Sequence, residues 1–422
     1  VALIQETAQQ ARTEALVESY GDKSIAVLPF VNMSADPEQE YFSDGIAEEL
    51  LNVLTRIPGL RVISRSSAFS FKGKDVDIPT IAQRLNVAHV LEGSVRKAGS
   101  RVRITAQLID ARSDTHLWSE TYDREIEDIF VIQDEISRQI VQTLKIVLGA
   151  GQESPVPALK PTGNLDAYEF YLRGRYCWQR RGEENIRRAI SLFQQATASD
   201  QQFARAWSSL AAAYVTLPTY SDAPQDKYFS QALSAAQMAL ALDNSLAEAN
   251  AVLGEIARHE RKWTEAELHY QRAVASEPKS ATAHLWYGEH LMSVGRIRDA
   301  LKETLAAYQL DPLNAGTNGV LGCVYYSLND LDNTLKYGKA TWDLGNPWGL
   351  RLQAVANLYL GNIDQAIILA EQFDEQWAEF SGEVSYLKLF MEARTDLAKV
   401  PLYLKTLAEH EAEMFPWFPL SG

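Results

Sequence analysis

The residues able to do chemistry are few and scattered. Asp44, Glu48 and Glu49 put three carboxylates near the start of a predicted helix, where the expected role is a favourable interaction with the helix dipole. General acid–base work would need a pocket and a partner group that no spacing reveals. Phe71-Lys-Gly-Lys74 has the residue types of a phosphate loop, yet no Gly-rich turn followed by Lys-Ser/Thr accompanies it, so it reads as a surface turn. His284 and His290 share a predicted helix, but six residues turn about 600° and aim them in different directions. Cys-x-x-Cys, His-Glu-x-x-His and Gly-x-Ser-x-Gly are all absent. The two cysteines, Cys177 and Cys323, lie at predicted helix positions and are expected as free thiols. The expectation is therefore no catalytic residue, no metal site and no cofactor.

A repeated pattern carries more information. Asn250, Leu253, Gly254 and Ala257 are followed by Ala266, Tyr270, Ala273 and Pro278. Thirty-four residues on come His284, Tyr287, Gly288, Leu291, Ala300, Thr304, Ala307 and Pro312, and after the same interval Asn318, Leu321, Gly322, Tyr325, Thr334, Gly338, Thr341 and Asn346. Two antiparallel helices pack closely where one offers Gly or Ala and the other fills the gap with a large side chain. One such pair cannot bury its own apolar face, so pairs must stack. The pattern resembles the tetratricopeptide repeat. About six copies are expected over 165–376, one carrying an insertion at Thr216–Pro224, with capping helices and an apolar tail over 377–422.

The resemblance implies a concave face lined by the first helix of each pair. The positions that point into it are Tyr168, Tyr171, Arg175 and Trp178, then Arg205 and Ser208, then Glu248, Glu255, Arg258 and His259. Thr282, Glu289, Met292, Cys323, Tyr326, Arg351 and Tyr359 complete the row. Mixed charge with interleaved aromatics suits a protein or peptide ligand better than a polyanion.

Residues 23–149 have a different character. Short runs rich in β-formers at Ser24–Phe30 and Arg61–Ser64, and a meander from Val87 to Tyr122, alternate with helical patterns from Ser43, from Pro79 and from Asp123 to Leu148. The order predicts an α+β domain, a mixed sheet with helices, ahead of an all-α repeat solenoid. Ser24-Ile-Ala-Val-Leu-Pro-Phe30, Tyr41-Phe-Ser-Asp-Gly45, Val90-Leu-Glu-Gly-Ser-Val95 and Arg103-Ile-Thr-Ala-Gln-Leu-Ile-Asp110 resemble the bacterial TolB-type amino-terminal, or FlgO-like, domain. That family is often followed by tetratricopeptide repeats and preceded by a class III nucleotide cyclase or a winged-helix domain. It has no known catalytic set. The resemblance implies docking on, or dimerising with, a neighbour.

Composition narrows the remaining options. With 46% hydrophobic and 23% charged residues the chain reads as globular. A net charge of −15 argues against nucleic-acid binding by the whole chain. No run of 18 apolar residues is present, so membrane attachment is expected only through a segment upstream. A membrane helix there would place the chain on the periplasmic side, its absence in the cytoplasm. Residues 1–22 read as a leading helix from a longer chain and 150–164 as a linker. The functional expectation is a non-catalytic sensory or interaction region of a bacterial signalling protein. The alternatives are the regulatory part of an adenylate or guanylate cyclase and a cell-envelope structural factor.

Overall fold

The computed structural model describes residues 23–148, 162–381 and 386–409. The leading segment, most of the linker and the apolar tail therefore lie outside the described residues. The chain divides into two compact units, one running to His290 and including Gln309–Asp311, the other formed by Leu291–Tyr308 and Pro312–Gly422.

The first unit begins with a mixed sheet. Strand β1 (Ser24–Val27) runs parallel to β3 (Arg61–Val62) on one side and to β4 (His89–Ala98) on the other, and the short β2 (Val31–Asn32) also pairs with β4. Strands β4, β5 (Arg101–Asp110) and β6 (Thr115–Glu125) form the expected antiparallel meander, giving the order β3-β1-β4-β5-β6. Ala98 pairs with Arg101 across a two-residue turn in which Gly99 takes a φ of +61°, open to glycine at no steric cost. Val102, Ile104, Ala106 and Leu108 alternate inward and are fully buried.

Helix α1 (Glu40–Thr55) contributes Ile46, Leu50 and Leu54 to the core. It starts three residues earlier than Ser43, behind a 3-10 turn (Pro37–Gln39) whose Asp36 accepts from Glu38 N at 2.9 Å. This corrects the dipole reading: Asp44, Glu48 and Glu49 lie inside the helix and are buried. Two short helices follow, α2 (Arg65–Phe69), which the sequence pattern did not predict, and α3 (Ile78–Leu85), capped by Asp77. Helix α4 (Ile129–Leu148) starts later than Asp123, because Asp123 to Glu125 extend β6 and Arg101 and Arg103 both hold Asp123.

The helices that follow the sheet in sequence come in pairs. In the first unit they are α5 (Leu165–Gln179) with α6 (Glu183–Ser199), α7 (Ala204–Thr216) with α8 (Gln225–Leu242), and α9 (Ala247–His259) with α10 (Trp263–Ser276). The insertion after α7 forms a 3-10 turn at Leu217–Thr219 whose Leu217 is fully buried. Next in sequence come α11 (Ala281–Ser293) and α12 (Ile297–Leu310). The second unit then holds α13 (Ala315–Ser327) with α14 (Leu331–Asp343), α15 (Trp348–Tyr359) with α16 (Ile363–Ser381), and the shorter α17 (Leu387–Thr395) and α18 (Val400–Glu409).

Small residues set the approach within each pair. A Cβ on Gly254 would meet the Tyr270 ring at 2.7 Å. The link between paired helices needs one left-handed residue, supplied at the repeat interval by Arg261 (φ 58°), Gly295 (φ 79°) and Asn329 (φ 58°). The next amide then reaches back to a carbonyl of the finished helix, as Lys262 N does to Ala257 O and Asp330 N to Tyr325 O, both at 2.9 Å.

A candidate binding groove partly filled from within

Tyr168 and Tyr171 of α5 are buried against Phe130 of α4 and Phe203, with ring centroids 4.7 Å apart for Phe130–Tyr168 and 5.0 Å for Tyr171–Phe203. Sheet layer and first repeats thus share one apolar core. Gly45 lets α1 come close to α5: a Cβ there would stand 2.9 Å from Leu172 Cδ2.

That proximity sets the acids of α1 against cations of the repeats. Arg205 of α7 grips Glu49 with two nitrogens, at 2.6 and 2.8 Å. Arg175 of α5 holds Glu48 at 2.7 Å, and Arg65 of α2 holds the other oxygen at 2.9 Å. Lys72 reaches Asp44 and Glu40, each at 2.6 Å. Arg175 also binds Glu248 of α9 at 2.9 Å, while the Ser208 and Ser209 hydroxyls donate to the same carboxylate at 3.0 Å. Burial pushes the Glu48 carboxyl up, but Arg175 and Arg65 more than offset it and hold the group below its ordinary range. For Asp44 burial wins over Lys72 and Arg65, and its carboxyl is raised. Burial alone would lower Arg205, yet Glu49 raises it well above its usual value. These are charge-assisted, multidentate contacts in a desolvated setting.

The predicted groove residues separate into groups. Arg175, Arg205 and Glu248 meet in the network just described, and Tyr171 lies inside the core, its phenol raised by burial. Trp178 is also buried, with the Arg175 and Arg181 guanidiniums 5.0 and 4.0 Å from its ring. Glu255, Arg258 and Glu289 form a second group: Arg258 pairs with Glu255 at 2.6 Å, and Tyr270 Oη donates to Glu255 at 2.5 Å. Burial raises Glu289 to about 7, with Arg258 opposing and Glu255 adding to the shift. His259 stands apart, exposed, with its ring edge on Phe229 at 4.8 Å. In the second unit Tyr326 meets Tyr359 at 5.8 Å, Arg351 lies 4.6 Å over the Trp348 ring, and Met292 is half-buried. Burial, with the Tyr359 hydrogen bond, pushes the Tyr326 phenol up to about 12.

Sequence reasoning missed the α1 acids as partners of Arg175 and Arg205. The available signal was three acids within six residues of a helix otherwise rich in Leu, Ile and Val. Among the described residues no group of His, Cys, Asp and Glu is arranged to hold a metal, and no helix is long and apolar enough to cross a membrane.

Residues 21–139 match the second domain of HilA/YgeH-like transcriptional regulators, and residues 180–228 and 253–315 match the tetratricopeptide repeat. A HilA-like domain precedes tetratricopeptide repeats in this chain. The first match names a different family from the TolB-type or FlgO-like one that the motifs resemble. The chain is 40% identical over 248 residues to putative adenylate cyclase 3 of Rhizobium meliloti, covering 58% of this chain and 42% of that protein. It is 22% identical over 232 residues to transcriptional regulator HilA of Salmonella typhimurium, covering 54% and 42%. The matches thus span about two fifths of the length of these curated relatives. Among solved structures it is similar to PilF of Pseudomonas aeruginosa, with a TM-score of 0.40 and 21% identity over 51% of this chain and 94% of that one.

Proposed function

We propose that this chain is a non-catalytic interaction and regulatory region of a larger bacterial signalling protein. Its repeats present a surface for a protein or peptide, and its α+β domain acts as a built-in ligand of the first repeats. The carrying observation is the pairing of Glu48 and Glu49 on α1 with Arg175 and Arg205 on α5 and α7. Those cations are spent inside the molecule. A second group of charges, Arg258 with Glu255 at 2.6 Å beside Glu289, lies on the first helices of the next pairs. Mixed charge there suits a peptide with charged side chains, and in the second unit Tyr326, Arg351 and Tyr359 offer aromatic and cationic contacts of their own.

A cyclase-linked output is the second reading, favoured by the relative named putative adenylate cyclase 3. In that case the repeats and the α+β domain would regulate a catalytic part carried elsewhere in the protein. The HilA-named relative supports a transcriptional output in the same way. The finer TolB-type assignment of residues 23–149, the repeat limits 165–376 and pairing of two α+β domains belong to this proposal. The test is affinity capture with the whole chain and with an Arg258→Ala, Tyr326→Ala double variant. Loss of a specific captured protein in the variant supports the groove; identical capture removes it.

A further inference from the structure

An open cleft of about 360 Å³ lies where α1, α2 and the end of α5 meet. The volume is within the roughly 300–1,000 Å³ of small-molecule sites. Its charged lining is Glu40 and Asp44 from α1, Arg65 from α2, Lys72 after it, and Arg180 at the end of α5. Three cations thus face two carboxylates.

The pairing leaves one cation over. Lys72 bridges Glu40 and Asp44 at 2.6 Å each, and Arg65 is committed to Glu48 at 2.9 Å. Arg180 pairs with no carboxylate among the described residues. It donates to Tyr176 Oη at 3.1 Å and lies 5.4 Å from that ring's centroid, with Lys72 at 5.9 Å from the same ring. A guanidinium carries five N–H donors and an ammonium three, so Arg180 and Lys72 keep donors unused, and the Tyr176 hydroxyl, accepting from Arg180, keeps its own proton to give. Arg180 and Lys72 about one aromatic ring, with spare N–H donors and the Tyr176 hydroxyl beside them, offer convergent hydrogen bonds to an anion. The two wall carboxylates would repel a polyanion at close range.

We propose that this cleft binds a small, singly charged carboxylate, received by Arg180 with Tyr176 and Lys72, and so joins the α+β layer to the first repeat. Such a ligand would give the signalling region proposed above an input of its own, independent of any peptide in the groove.

The test is ligand-observed NMR titration of the whole chain with benzoate, acetate and inorganic phosphate in turn. Saturable binding of benzoate or acetate is expected, weakened at least tenfold by Arg180→Gln and a few-fold by Tyr176→Phe. Arg138→Gln, an exposed residue of α4 outside the cleft's lining, should leave it unchanged. Arg180 is exposed, so folding of its variant is not at issue and is checked by circular dichroism. Absence of carboxylate binding, or equal binding by the Arg180→Gln variant, overturns the proposal. Phosphate binding as tightly as either carboxylate overturns the assignment of ligand class. None of these outcomes bears on capture of a partner by the groove.

Discussion

Glu49 shows what a single side chain is worth here. It is 3% exposed and its charge is met by Arg205. Removing one partner of a buried pair strands the other, so Arg205→Ala should cost about 3–5 kcal/mol. Urea denaturation followed by circular dichroism would show it as a lower midpoint. The exposed pair Arg187–Glu183 is screened by water, and Arg187→Ala should leave the midpoint where it is. Glu289 makes a pH prediction. Burial raises its carboxyl to about 7 from an ordinary 4.5, so the fold holds the proton where the unfolded chain has released it. Its contribution is therefore full below pH 4.5 and is lost as pH rises through 7, by roughly 3 kcal/mol at most. Glu289→Gln should flatten stability across that window, and an unchanged pH profile in the variant would contradict the assignment.

Within an element, the paired helices depend on absent side chains. Ala at position 254 would gain about 1 kcal/mol of helix propensity over Gly. It would also press a methyl to 2.7 Å from the Tyr270 ring, which is fully buried and tied to Glu255 through its hydroxyl. Overpacking costs about 1–3 kcal/mol, so Gly254→Ala should be neutral to destabilising, measured as a lower thermal midpoint, and a clear rise would mean that Tyr270 has room to move. At this scale much was legible beforehand. The meander, the hairpin turn at Gly99 and the small residues of the repeats all follow from local spacing. What was misplaced were starts: α1 begins at Glu40 because Asp36 and Pro37 begin a 3-10 turn first, and α4 waits for Ile129 because Asp123 is held in β6 by two arginines. Helix α2 was missed altogether. Its five residues are too few for a periodic pattern, and Asp311, more than two hundred residues away, accepts from Ser67 N at 3.0 Å.

Across the whole molecule, the net charge of −15 and the absence of a catalytic motif in the sequence lead to two expectations. The isolated chain should form no cyclic AMP from ATP with Mg²⁺ or Mn²⁺, and product above background would assign catalysis to these residues. It should also leave the anisotropy of labelled duplex DNA unchanged at physiological salt, since counterion release needs clustered cations. The sequence by itself determined the repeats and the sheet that precedes them, because periods of thirty-four, of 3.6 and of two are written in local spacing. Only the tertiary structure decided what the charged face of α1 is for. Arg175 meets Glu48 across 127 positions and Arg205 meets Glu49 across 156. Pairings at such separations leave no mark on local spacing; they exist because Gly45 lets two helices approach and the shared core of Phe130, Tyr168 and Tyr171 holds them there.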